Sequence, residues 1–126
     1  MKEENKIKQY VFENEAARRL LEFLMQENAI LKTRLAGLLE ELEVARELLE
    51  QVEQYQEWLL QNDHEISFVR QRSAELEKML FRQLHDDGLM KSVVLMQKQM
   101  RKDLRALDEA FSDLKMRFNQ FVESVA

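Results

Sequence analysis

The strongest constraint on this chain is a seam of apolar residues between Leu21 and Leu59. Leu21, Asn28, Leu35, Leu42, Leu49 and Gln56 recur at every seventh position, and Leu24, Leu31, Leu38, Ala45, Val52 and Leu59 interleave with them. Alternating steps of three and four keep both series on one side of an α-helix, which is the coiled-coil pattern. Asn28 is the polar exception among leucines. A buried amide at such a position pairs with a counterpart and fixes register at some cost in stability. Asn28→Leu is therefore expected to raise thermal stability and to loosen the oligomeric state.

The seam is wider than a two-stranded zipper requires. Leu20, Met25, Leu39, Leu48, Tyr55 and Leu60 flank it. A stripe of that breadth suits a bundle of three or four helices. The 126 residues include no Pro and only Gly37 and Gly88, with 34% charged and 45% hydrophobic residues. That balance belongs to long helices, not to a disordered chain. There is no cysteine, which removes a disulfide framework and a thiolate metal site and fits a reducing compartment. Met1 to Glu15 is polar and charged, unlike a secretory signal, and the apolar runs are too short to span a membrane. A cytoplasmic location is expected.

The first nine residues read as a fraying terminus, with a helix starting between Asn5 and Asn14, where Asn14 could act as a cap. Gly37, followed by two leucines, suggests a close helix approach. Asn62, with Glu65 three residues on, resembles a capping box. The apolar spacing nevertheless runs through it, from Val52, Tyr55 and Leu59 to Ile66, Val69, Ser73, Leu76 and Leu80. The spacing therefore predicts one continuous helix across Asn62, with a break there as the alternative. The step from Leu49 to Val52 and Tyr55 is a three-residue discontinuity, a slip that changes supercoil locally. Asn62 itself is either a stripe edge or a second buried amide.

The stop falls at His85-Asp86-Asp87-Gly88, where Gly88 would end the helix in the left-handed conformation. A last helix follows, with the stripe Val93, Met96, Met100, Leu104, Leu107, Phe111, Leu114, Phe118, Phe121 and Val125. Its step through Met96, Met100 and Leu104 reads as a stutter. A hairpin about Gly88 pairs residues whose numbers sum to about 176, given ~1.5 Å per residue on each arm. Met100 then falls near Leu76, Leu107 near Val69, Phe118 near Trp58 and Phe121 near Tyr55.

The fold expected is all-α: a long helix with a folded-back C-terminal helix, forming an elongated coiled-coil hairpin or helical bundle. One domain spans 1–126. It has an N-terminal oligomerisation half at about 14–50 and a helical hairpin at about 51–126 with its turn at 86–90. Folding back leaves the leucine face of the first half without a partner, and such a patch rarely stays in solvent. Leu21, Leu24, Asn28, Leu31, Leu35, Leu38 and Leu42 are thus the expected interface of a homo-oligomer, a dimer or tetramer.

Charge adds a second candidate surface. The net charge is −5. Glu40 to Glu65 carries nine acidic side chains against Arg46 alone, whereas Lys91 to Arg105 is basic apart from Asp103. Each is a solvated helix face, or the two complement each other across an interface. Lys98, Arg101, Lys102 and Arg105 form a possible docking face on an amphipathic, Met-containing helix, which gives an alternative function: binding an anionic membrane surface or nucleic acid. The stripe of that helix continues into Phe111 to Phe121, which reads as core. Asn14 to Arg19 followed by leucines resembles a basic leucine zipper. However, Met1 to Glu22 has five basic and five acidic side chains, so the cationic footprint is missing. Neither nucleic acid nor membrane is an expected partner.

No catalytic residues are expected. His64-Glu65 and His85-Asp86-Asp87 lack the i, i+3 or i+4 spacing of a metal site in a bundle. No Gly-rich phosphate loop or Ser/His/Asp arrangement is present. No metal or cofactor is expected, and the chain does not read as an enzyme.

The C-terminal third contains Asp87-Gly88, Gln99-Met100-Arg101-Lys102-Asp103-Leu104 and Leu114-Lys115-Met116-Arg117-Phe118-Asn119. It resembles small uncharacterised helical proteins of Bacteroidetes, and Gln56 to Arg70 is loosely similar. The resemblance implies a cytoplasmic coiled-coil protein and assigns no functional residue. The function expected is a non-enzymatic structural or adaptor protein that homo-oligomerises and binds an unknown protein client.

Overall fold

The computed structural model describes residues 2–41, 46–83 and 87–125. Three helices carry the described chain: α1 (Lys2–Glu41), α2 (Arg46–Gln83) and α3 (Met90–Val125), with a short 3-10 turn at Asp87–Leu89 before α3. No regular element among the described residues is a strand. Each helix spans roughly 55–60 Å at the usual rise. Helices of that length need a packed face, and here each buries its stripe against the other two.

The register follows from which residues meet. Asn14 bonds to Ser73 and Asn28 to Asn62, so numbers rise along α1 as they fall along α2. Arg72 pairs with Asp103, and the rings of Tyr55 and Phe121 lie 4.9 Å apart. α3 is therefore antiparallel to α2 and parallel to α1. The α2–α3 pairing sums to about 176, as the hairpin reading requires. The aromatic residues do share a level: Tyr55 meets Trp58 at 5.2 Å and Phe118 at 5.7 Å.

The continuous helix is corrected. α1 ends at Glu41 and α2 begins at Arg46 running the opposite way, so the leucine seam folds onto itself. Neither Asn62 nor Asp63 breaks a helix, because both lie well inside α2. The sequence concealed the reversal because residues 42–45 contain no Gly, Pro or capping side chain and the heptad spacing runs through them. The trace it did leave is the slip at Leu49, Val52 and Tyr55. That slip is the phase difference between two separate helices and not a local change of supercoil. The N-terminal half is thus no free-standing unit, since α1 packs along α2.

Smaller expectations are revised by the same geometry. Helix α1 begins at Lys2, ahead of the Asn5–Asn14 start expected, and Ile7 and Tyr10 are buried on its seam. Asn14 is a buried seam residue and not a cap. A Cβ on Gly37 would meet nothing within 4 Å, so no close helix approach exists there. Gly88 lies in the 3-10 turn without a positive φ, so the end of α2 does not use it as a left-handed cap. The stutter in α3 also disappears. Gln97 is 2% exposed and takes the core position assigned to Met96, so Val93, Gln97, Met100, Leu104, Leu107 and Phe111 alternate by four and three without a skip.

Candidate functional site

The most organised chemistry in the bundle is a pair of polar layers on the α1 seam, two heptads apart. In one, Asn28 is fully buried and hydrogen-bonds to α2 through both ends of its amide. Its Nδ2 donates to the Leu59 carbonyl at 3.0 Å and to Asp63 Oδ1 at 2.6 Å, and its Oδ1 accepts from Asn62 Nδ2 at 3.0 Å. Lys32 closes the layer by an ion pair with Asp63. In the other, Ser73 Oγ donates to Asn14 Oδ1 at 2.8 Å, and Asn14 Nδ2 donates to the Ser73 carbonyl at 3.3 Å. A slip of α1 along α2 would strand these groups without partners, at a cost of about 1–3 kcal/mol for each buried donor or acceptor. The layers therefore fix the antiparallel register. Asn28 does pair with a counterpart amide, but that amide is on the same chain.

A third polar group ties α1 to α3. Arg101 grips Glu13 with Nε to Oε2 at 2.9 Å and Nη2 to Oε1 at 2.8 Å. Gln97 Nε2 donates to the same Oε2 at 2.6 Å. The Arg101 hydrogen bonds hold the Glu13 pKa below its usual value against the opposing effect of burial, with Gln97 and Gln9 assisting. The Arg101 guanidinium also lies 5.8 Å from the centre of the Tyr10 ring. The buried Gln97 Oε1 has no protein partner. Lys115–Glu27 at 3.1 Å and the Arg34–Asn119 hydrogen bond at 2.9 Å continue the α1–α3 seam. Between α2 and α3, Tyr55 donates its hydroxyl to the Arg117 carbonyl at 3.0 Å, and burial raises its pKa.

The residues expected to form an oligomer interface are covered within a single chain. Leu21, Leu24, Asn28, Leu31 and Leu35 are at most 2% exposed within a single chain, and Leu38 is half-buried. The premise of an uncovered leucine face fails because α2 and α3 already cover it. Leu42 lies outside the described residues. In the predicted docking face, Lys98, Lys102 and Arg105 are exposed, whereas Arg101 is committed to Glu13. The basic stretch of α3 lies beside the first half of α1 and the second half of α2. His64 is exposed, and among the described residues no three His, Cys, Asp or Glu side chains are grouped to hold a metal ion. His85 and Asp86 lie outside the described residues.

Sequence reasoning missed the outer faces. Phe12, Phe23, Ile30, Phe68, Phe81, Leu95 and Met116 are each more than half exposed, and so is Leu60, which was expected to widen the buried seam. They sit off the seam, so a search for period alone passes over them. A groove of about 510 Å³ runs between α2 and α3, floored by Val69 and Leu107 and walled by Phe68, Ala106 and Ala110. Arg72 stacks on Phe68 at 4.7 Å. A second, largely apolar groove of about 400 Å³ lies between α1 and α2 among Ile7, Val11, Leu80 and Phe81.

No protein-family model, curated protein or solved structure matches this chain. Among the described residues no helix is long and apolar enough to cross a membrane.

Proposed function

We propose that this protein is a non-enzymatic, cytoplasmic coiled-coil scaffold or adaptor that homo-oligomerises and offers its outer faces to a protein client. The observation that carries the reading is the set of large apolar side chains exposed on all three helices, including Phe12, Phe23, Phe68 and Leu95. Large exposed aromatic and aliphatic side chains, where they form contiguous patches, mark contact with other macromolecules. A second support is how the buried polar groups are used. Asn14, Asn28, Asn62 and Ser73 bond to one another across helices, which serves register rather than chemistry. The rod-like length of the helices suits a spacer or platform.

Light scattering tests the self-association. A mass of two or more chains at micromolar concentration is expected, and a monodisperse monomer across the micromolar range would reject it. The anionic-surface reading is weaker, because α3 buries its apolar stripe and Arg101 is taken by Glu13. Salt-sensitive binding to anionic vesicles or DNA, lost on neutralising Lys98, Lys102 and Arg105, would reinstate it.

A further inference from the structure

We infer that a second copy of this chain docks antiparallel on the outer face of α1, so that two bundles meet back to back across a twofold axis. This rests on the self-association reading and names its surface. The buried seam of α1 runs through Asn14, Leu21, Asn28 and Leu35. On the opposite side of the same helix, two positions further on, steps of three and four connect Phe12, Phe23 and Ile30, all more than half exposed. Ala16 and Thr33 lie on the same line, which ends at Gly37, and Arg19 is its one charged residue. The solvent faces of the other helices differ. At the matching positions α2 carries Glu57, His64, Gln71 and Glu75 around Phe68, and α3 carries Lys102, Glu109 and Asp113 between Leu95 and Met116. Helix α1 is accordingly the least amphipathic of the three, because both of its sides are apolar. A long outward line of this kind is a contact surface.

The line is complementary to itself, and this identifies the occupant. It has the same spacing read from either end, so an antiparallel copy pairs residues whose numbers sum to about 49, given ~1.5 Å per residue on each helix. Phe12 then meets Gly37, Ala16 meets Thr33, Arg19 meets Ile30 and Phe23 meets Gln26. Each contact occurs twice about the axis, as a twofold interface requires. Phe12, the most exposed of these residues, faces the smallest. A glycine inside a helix is unfavourable, and within one chain a Cβ on Gly37 would meet nothing within 4 Å. The Phe12 ring of a second copy fills that open space over the bare backbone. The stem of Arg19 covers Ile30 while its guanidinium reaches water. Charge selects the direction. Antiparallel docking sets Glu15 and Glu22 beside Ala36 and Ala29, so these acidic flanks meet neutral ones. Parallel docking would stack Arg19 on Arg19, which repel, and Gly37 on Gly37, which leaves a gap.

The absence of cysteine makes the register easy to read. Two differently tagged full-length copies, one Ala16→Cys and one Thr33→Cys, are co-expressed, purified and treated with a short bifunctional maleimide. Both positions are exposed, and within one chain they lie roughly 25 Å apart along α1, too far to be joined. A covalent dimer carrying both tags is expected, with none from either variant alone. An Ala16→Cys dimer linked to itself would mean parallel docking and overturns the proposal. Phe23→Glu provides a second measurement. It buries an unpaired carboxylate at the central layer and should weaken the dimer by at least about a hundredfold in light scattering across a dilution series. Helix content by circular dichroism should be unchanged, because Phe23 lies outside the core. Phe68→Glu, on the outer face of α2, should leave the dimer as tight as the parent. A dimer that Phe23→Glu leaves intact, or one with no mixed-tag link while both cysteines react with a monofunctional maleimide, overturns the proposal and leaves self-association by another face standing. A monomer at every concentration overturns both and leaves the α1 face to a different partner.

Discussion

The Asn28–Asn62 layer allows a prediction whose sign the sequence alone misjudges. Read as a lone polar residue in a leucine seam, Asn28 should be improved by Leu. In the structure, Asn28→Leu removes the acceptor that the buried Asn62 Nδ2 uses. The other groups it releases are spared: the Leu59 carbonyl stays in the helix ladder, and Asp63 keeps Lys32. The stranded amide costs about 1–3 kcal/mol, and a newly buried Leu returns part of that through about 1.5–3 kcal/mol of apolar burial. With the broken hydrogen bonds at roughly 1 kcal/mol each, the net is a loss of about 1–2 kcal/mol. Asn62→Leu should cost a similar amount, because it strands Asn28 Oδ1. The double variant removes both stranded groups and should be close to neutral or stabilised. A double-mutant cycle by urea denaturation should therefore give a favourable coupling of about 2–3 kcal/mol. In a thermal scan the single variants should melt lower by about 3–5 °C per kcal/mol, given the size of the chain. Additive single effects, or a higher melting temperature for Asn28→Leu alone, would refute the reasoning.

Three further outcomes follow from the same contacts. Glu13 has a lowered pKa in the folded state, chiefly through Arg101, so its contribution is present above the unfolded value of about 4.3 and is lost as pH falls through the folded pKa. Wild type should thus lose more of its urea midpoint between neutral pH and pH ~3 than Glu13→Gln does, and equal losses would remove Glu13 from the acid response. Phe118 is fully buried and meets Tyr55 and Arg34; Phe118→Ala should cost about 3–5 kcal/mol in chemical denaturation. Neutralising Lys98, Lys102 and Arg105 together should shift stability by no more than about 0.5 kcal/mol per site, because they are exposed.

How much was legible depended on what each signal encodes. The α2–α3 register could be read because Gly88 lies close to a real reversal and the two arms have equal rise. Membership of the core was legible from Leu21 to Leu35 and again from Val52 to Leu80, since steps of three and four describe a buried face regardless of its partner. The partner was not legible. A leucine seam that continues without a breaker has the same spacing whether it meets a second subunit or folds back on itself. Gln97 was passed over because a template of apolar residues skips a polar one. The spacing alone would have found it, since counting back four from Leu104 and then three from Met100 reaches Gln97. Asn14 was legible in the same way, lying two heptads before Asn28.

What chooses the partner is the placement of the amides. Leucines on α1 would accept α2 in several registers one heptad apart, with little difference in apolar burial. Asn28 opposite Asn62 and Asn14 opposite Ser73 remain satisfied in one antiparallel register only. These layers constrain the pairing of α1 with α2 but are indifferent to whether the two helices belong to one chain or to two.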